Sequence, residues 1–153
     1  MEQSVSYEEL LEKNGEFIYT VRGVSMMPLL RQRRDLIVIE KKGPERLKKY
    51  DTALFVRPKG ADGRDYVLHR VLKASDDGTY WIVGDNCVSG DTVREEQILG
   101  VMTSLVRNGK TIRVTDPGYR LYVTLWCRPY RLRIALLRLR GYAAALWHKI
   151  RSF

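Results

Sequence analysis

The sequence predicts an all-β domain, partly barrel-like, with a short helix before it and basic amphipathic helices after it. Three observations predict this. Short apolar runs rich in β-branched and aromatic residues recur between positions 16 and 115. Turn signals such as Asp76-Asp77-Gly78 and Asn108-Gly109 separate them at close intervals. After Asp116-Pro117-Gly118 the hydrophobic period becomes helical. The 153 residues therefore divide into a domain over 1–116 and a helical tail over 117–153.

Residues 4–14 read as a helix capped by Ser4 or Ser6, with Glu8 and Glu9 near its start and Asn14-Gly15 at its end. From Glu16 the pattern alternates: Phe17, Tyr19 and Val21 against Ile18, Thr20 and Arg22. This strand runs into Gly23-Val24-Ser25-Met26-Met27-Pro28. Pro28 suits the first turn of a short helix, with Leu29-Leu30 as its anchor. Residues 35–40, 50–56, 66–72, 79–83, 97–107 and 110–115 read as strands. Residues 58–64 read as a hairpin loop and 84–91 as a polar loop.

Pro129 splits the tail in two. Leu132, Leu136, Leu139, Ala143, Leu146, Trp147 and Ile150 fall in one stripe at about 100° per residue. Arg131, Arg138 and Lys149 line one edge of it; Arg133, Arg140 and Arg151 line the other. The tail carries +8 of the net +9 and no acidic residue, so the rest is nearly neutral. Arginines flanking an apolar stripe suit peripheral membrane contact through 119–153. Packing on a partner or on the chain's own domain is the competing reading. Nucleic acid ranks last, because no base-reading motif accompanies the charge.

Cys87 and Cys127 fit no metal, redox or disulfide spacing, so neither a metal nor a cofactor is expected, and a reducing compartment is. Residues 1–16 lack the apolar core of a signal peptide, and no run of about 18 uncharged apolar residues occurs. A cytoplasmic location is expected, at the inner face of the membrane if the tail binds there.

The Ser25 turn suits a nucleophile. Gly23 takes backbone angles that a side chain forbids and lets a substrate approach. Met26 and Met27 offer flexible apolar surface to an extended peptide. A turn serine capping residues 26–30 fits the same stretch. Of the two histidines, His148 lies in the tail. His69 lies mid-strand, with Val67 and Val71 on its face and Arg70 on the other. Asp85 and Asp91 follow closely, and either suits the role of orienting the imidazole.

Six stretches in order carry a resemblance: Gly23-x-Ser25-Met26-x-Pro28, Arg34-Asp35-Leu36-Ile37, Tyr50-Asp51-Thr52-Ala53-Leu54-Phe55, His69-Arg70-Val71, Gly84-Asp85-Asn86 and Ile98-Leu99-Gly100. Over about residues 17–106 the chain resembles the type I signal peptidases, with the self-cleaving SOS repressors as wider relatives. Histidine at 69 resembles the endoplasmic-reticulum, archaeal and sporulation types; the usual bacterial enzymes carry lysine there. The resemblance implies the family's β-rich fold and a serine endopeptidase that cuts a leader or signal-like segment from a precursor. It implies Ser25 as nucleophile, His69 as general base and Asp91 as orienting acid. Asp85, Gly23 and Met26 would support them.

The chain departs from the family at Gly23, where many signal peptidases supply an oxyanion hydroxyl, and at Arg34 and Tyr50, where glycine is usual. It also lacks the histidine type's spanning helix before the first strand. The alternative is an inactive peptide-binding module of the same fold, its basic tail binding a membrane or a partner. A self-cleaving regulator would need a helix-turn-helix that residues 1–16 are too few to form.

Overall fold

The computed structural model describes residues 6–59 and 63–151. Helix α1 spans Tyr7–Asn14. Ser6 caps it reciprocally: Ser6 Oγ accepts the Glu9 N–H and the Glu9 carboxylate accepts the Ser6 N–H, each at 3.2 Å. The other candidate cap, Ser4, lies outside the described residues. Tyr7 stacks on Phe17 with ring centroids 4.9 Å apart, which docks α1 on the first strand.

The strands are β1 (Glu16–Thr20), β2 (Leu36–Lys41), β3 (Thr52–Lys59), β4 (Gly63–Ala74), β5 (Thr79–Val83), β6 (Gly90–Arg94), β7 (Ile98–Arg107) and β8 (Lys110–Arg113). All pairings are antiparallel, in the order β1-β2-β7-β3-β4-β5-β6, with β8 on β7. Among the described residues the expected barrel-like closure does not occur, because β1 and β6 end the path without pairing with each other. Strand β7 forks the sheet instead: Ile98–Val101 pairs β3, while Ser104–Arg107 pairs β8. The space between the two ends is a groove lined from both, by Phe17 and Tyr19 of β1 and by Asp91 of β6.

Three other expectations are corrected. Residues 90–94 are strand β6 rather than loop, so Asp91 sits opposite Ile82 of β5. Val93 is the strand's one buried apolar residue, too little to register as alternation in the sequence. Residues 25–29 form tight turns, not a short helix. Met27 N–H meets Val24 C=O at 3.1 Å and Leu30 N–H meets Met26 C=O at 2.9 Å, without a second consecutive helical bond. Leu30 is nevertheless fully buried and anchors the turn. Strands β3 and β4 also extend into the expected hairpin loop, pairing Pro58 with Arg64 and Lys59 with Gly63.

Alternation divides the core between two faces. Leu54 joins Leu30, Ile37, Ile39, Met102 and Leu105 on one. Phe55 and Val71 join Tyr80 and Ile82 on the other. Beyond the sheet, α2 (Pro117–Tyr122) runs into a π-helical stretch (Val123–Cys127), and α3 (Tyr130–Arg151) follows Pro129. The root of this segment is packed on the sheet: Tyr119, Cys127 and Arg133 are buried. The sequence places Arg133 on a charged edge, but the side chain turns inward, because Asp85 supplies a buried carboxylate 3.6 Å away. From residue 138 to 151 every α3 residue is exposed. Among the described residues, no helix is long and apolar enough to cross a membrane.

Candidate active site

The Ser25 turn is built on Gly23, whose φ of 79° favours a residue without Cβ. Its N–H donates to Gln32 Oε1 at 3.2 Å. Ser25 is half-buried, and Met26 is buried, joining the core and the cavity wall at once. The loop after β5 is laced to this turn from the other side. Asn86 N–H donates to the Ser25 carbonyl at 2.8 Å, and Asn86 Nδ2 donates to the Val24 carbonyl at 3.1 Å.

Strand β4 brings His69 to the same place. Its backbone pairs with Ala53, and its ring meets the Phe55 ring nearly edge-on at 6.2 Å. Gly84 is the junction. A methyl there would lie 2.7 Å from the Ser25 carbonyl oxygen, 2.7 Å from Cys87 Sγ and 3.0 Å from His69 Nε2. The imidazole tip and the serine backbone thus converge on a point that only glycine leaves clear. Ser25, His69, Asp91, Gly23 and Met26 all line one cavity of about 500 Å³.

The other imidazole nitrogen, Nδ1, is buried 4.0 Å from Asp91 Oδ2 and makes no hydrogen bond among the described residues. Asp91 is shared with Arg57, whose Nη1 lies 3.3 Å from Oδ1, and Arg57 also pairs with Asp65 at 2.9 Å. Burial pushes the His69 pKa below its usual 6.5; Asp91 opposes that shift and Arg57 adds to it. A neutral, buried imidazole facing a cavity is chemically a base. The gap to Asp91 exceeds a hydrogen bond.

Asp85 lies elsewhere. Its carboxylate takes both Nε and Nη2 of Arg70, each at 2.8 Å, and the Tyr122 hydroxyl at 2.8 Å. Its backbone carbonyl accepts Trp126 Nε1–H at 3.1 Å. Cys127 Sγ is 3.8 Å from Oδ1, and its pKa is pushed up to about 12, by burial first and by the Asp85 charge second. Burial disfavours the Arg70 charge, yet Asp85 raises its pKa well above the usual value. Asp85 is therefore a brace on the back of the sheet, while Asp91 is the carboxylate beside His69.

Sequence reasoning missed Arg57, Tyr122, Trp126 and the packing role of Gly84. One signal was present: Arg70 lies between Leu68 and Leu72 on an apolar face, and a cation so placed demands a buried acid. Nothing comparable marks Arg57, whose partners come from two other strands. Among the described residues, no group of His, Cys, Asp and Glu is arranged to hold a metal. Compared with known proteins, the chain matches no family model and no curated sequence.

Proposed function

We propose that the protein is a serine peptidase, with Ser25 as nucleophile, His69 as general base and Asp91 as the carboxylate that supports the imidazolium. Within that class we read it as a signal-peptidase-type endopeptidase that removes a leader or signal-like segment from a peptide or protein precursor. The observation that carries this reading is the convergence of the Ser25 backbone carbonyl and His69 Nε2 around Gly84, beside the cavity that Ser25, His69 and Asp91 line together.

His69 Nε2 takes the Ser25 hydroxyl proton as Oγ attacks the scissile carbonyl. The tetrahedral intermediate collapses as the same imidazole returns that proton to the leaving amine. Water then repeats the sequence, releasing the acid and restoring Ser25. In this reading the Ser25 N–H meets the oxyanion, and such a donor lowers the barrier by about 3 kcal/mol. Gly23 supplies no hydroxyl, so a second donor is either a backbone N–H or absent. The groove between the sheet's two ends suits an extended chain, with Phe17, Tyr19 and Met26 as apolar walls. Two free cysteines fit a reducing, cytoplasmic setting.

A fluorophosphonate probe tests the assignment. Labelling is expected at Ser25 and is expected to vanish in His69→Ala. Ser25→Ala should stay folded and lose cleavage of a peptide library. Full cleavage by Ser25→Ala would overturn the proposal. Absence of both labelling and cleavage in the unaltered protein would favour a peptide-binding module instead.

A further inference from the structure

We propose that the outer face of α3 binds the surface of an anionic lipid bilayer, lying along it without crossing. Leu132, Leu136, Leu139, Leu146, Trp147 and Ile150 are each 49% to 63% exposed. They form one continuous stripe at helical spacing. The helix meets the domain through a different side, where Arg133 is buried and Ile134 and Leu137 are half-buried. The stripe thus points away from the sheet. At about 1.5 Å per residue the 22-residue helix is about 33 Å long, and its later half stands clear of the domain.

Charge selects the occupant. Arg131, Arg138 and Lys149 edge the stripe on one side, and Arg140 and Arg151 edge it on the other. No acidic residue occurs between 117 and 151. A bilayer of anionic headgroups accepts both features together: the stripe enters the acyl boundary while the long basic side chains reach back to phosphate. Two copies of this helix face to face would set like charges together with no carboxylate between them. A nucleic acid would pair with the cations and leave the stripe in water. The inference is independent of the peptidase assignment, since no α3 residue lines the cavity.

The test is flotation of the full chain with vesicles of equal parts phosphatidylcholine and phosphatidylglycerol, beside vesicles of phosphatidylcholine alone. Binding is expected to the anionic vesicles, with affinity lower by at least about tenfold on the neutral ones. Trp147 emission should shift to the blue on binding, and the shift should be absent in Trp147→Phe. The double substitution Leu139→Glu, Leu146→Glu alters only exposed positions. It should keep the native circular dichroism spectrum and lose flotation by about tenfold or more. Arg138→Gln with Arg140→Gln should weaken binding to the anionic vesicles alone, roughly fivefold per cation. Failure of the unaltered chain to float, or equal flotation of the double glutamate variant, would overturn the proposal. So would a concentration-dependent dimer, seen by sedimentation without lipid and abolished by the same two glutamates.

Discussion

Arg70 and Asp85 form a fully buried, two-pronged ion pair in which Nε meets Oδ1 and Nη2 meets Oδ2, each at 2.8 Å. Both residues adjoin the Ser25–His69 junction in the chain: His69 precedes Arg70, and Gly84 precedes Asp85. A bidentate guanidinium–carboxylate contact has one favourable geometry. It therefore fixes strand β4 against the loop that receives the imidazole. The pair lies on one face of the sheet and sets a distance on the other.

Asp85→Asn should be strongly destabilising. The amide keeps the shape but leaves Arg70 and Arg133 buried without a carboxylate, which costs about 3–5 kcal/mol. Urea denaturation followed by tryptophan fluorescence measures it. An unchanged midpoint would show that the pair is not what holds β4 to the loop.

Tyr122→Phe removes one neutral donor from the same carboxylate, 2.8 Å away. The expected loss is about 1.5–3 kcal/mol, because the bond is to a charged group. Labelling of Ser25 by the fluorophosphonate should persist at temperatures where the variant remains folded. A loss of labelling in the folded variant would mean that Tyr122 also positions the reacting groups.

Gly84→Ala should separate Ser25 from His69. The added methyl would press the Ser25 carbonyl and the His69 ring at distances of 2.7 and 3.0 Å, so backbone must move. A displacement of about 1 Å near reacting groups lowers rate on the order of 100-fold. The expected signature is a fall in kcat/KM for a cleaved peptide, with the fold retained by circular dichroism. An alanine variant of normal activity would refute the junction.

The pH dependence follows from His69. The base must be neutral, so kcat/KM should rise with pH through a midpoint below 6.5. Asp91 opposes the downward shift, so Asp91→Asn should move that midpoint lower still. Arg57 contributes to the shift, so Arg57→Gln should move it up. Stability should change in the matching sense. The unfolded chain takes up the proton at higher pH than the folded one, so this group's contribution falls as pH drops below 6.5. It levels off once the folded imidazole is protonated as well. Identical pH profiles for the three proteins would remove Asp91 and Arg57 from the site.

Much of the strand inventory was legible, because runs such as Leu36-Ile37-Val38-Ile39 and Tyr66-Val67-Leu68-His69-Arg70-Val71 carry their period openly. The α1 cap was legible to within two residues: Ser4 and Ser6 both fitted the sequence, and the reciprocal bonds with Glu9 select Ser6. Strand β6 was hidden because Gly90-Asp91-Thr92-Val93-Arg94 earns its place by backbone pairing to β5, with one buried apolar side chain. Arg133 was misplaced because helical geometry assigns an angle and cannot say what lies opposite it.

The amino-acid sequence by itself determined most of the local order and chemistry: which apolar runs extend, where the helical tail begins, and that a serine, a histidine and two aspartates were available. Only the tertiary structure decided which aspartate faces His69, that Arg57 shares it, that β1 and β6 stay apart to leave a groove, and that Arg133 turns inward. The physical reason is range. Backbone propensity and hydrophobic period act over a few neighbouring residues, whereas ion pairs and sheet closure join residues distant in the chain, and those are settled by packing in three dimensions.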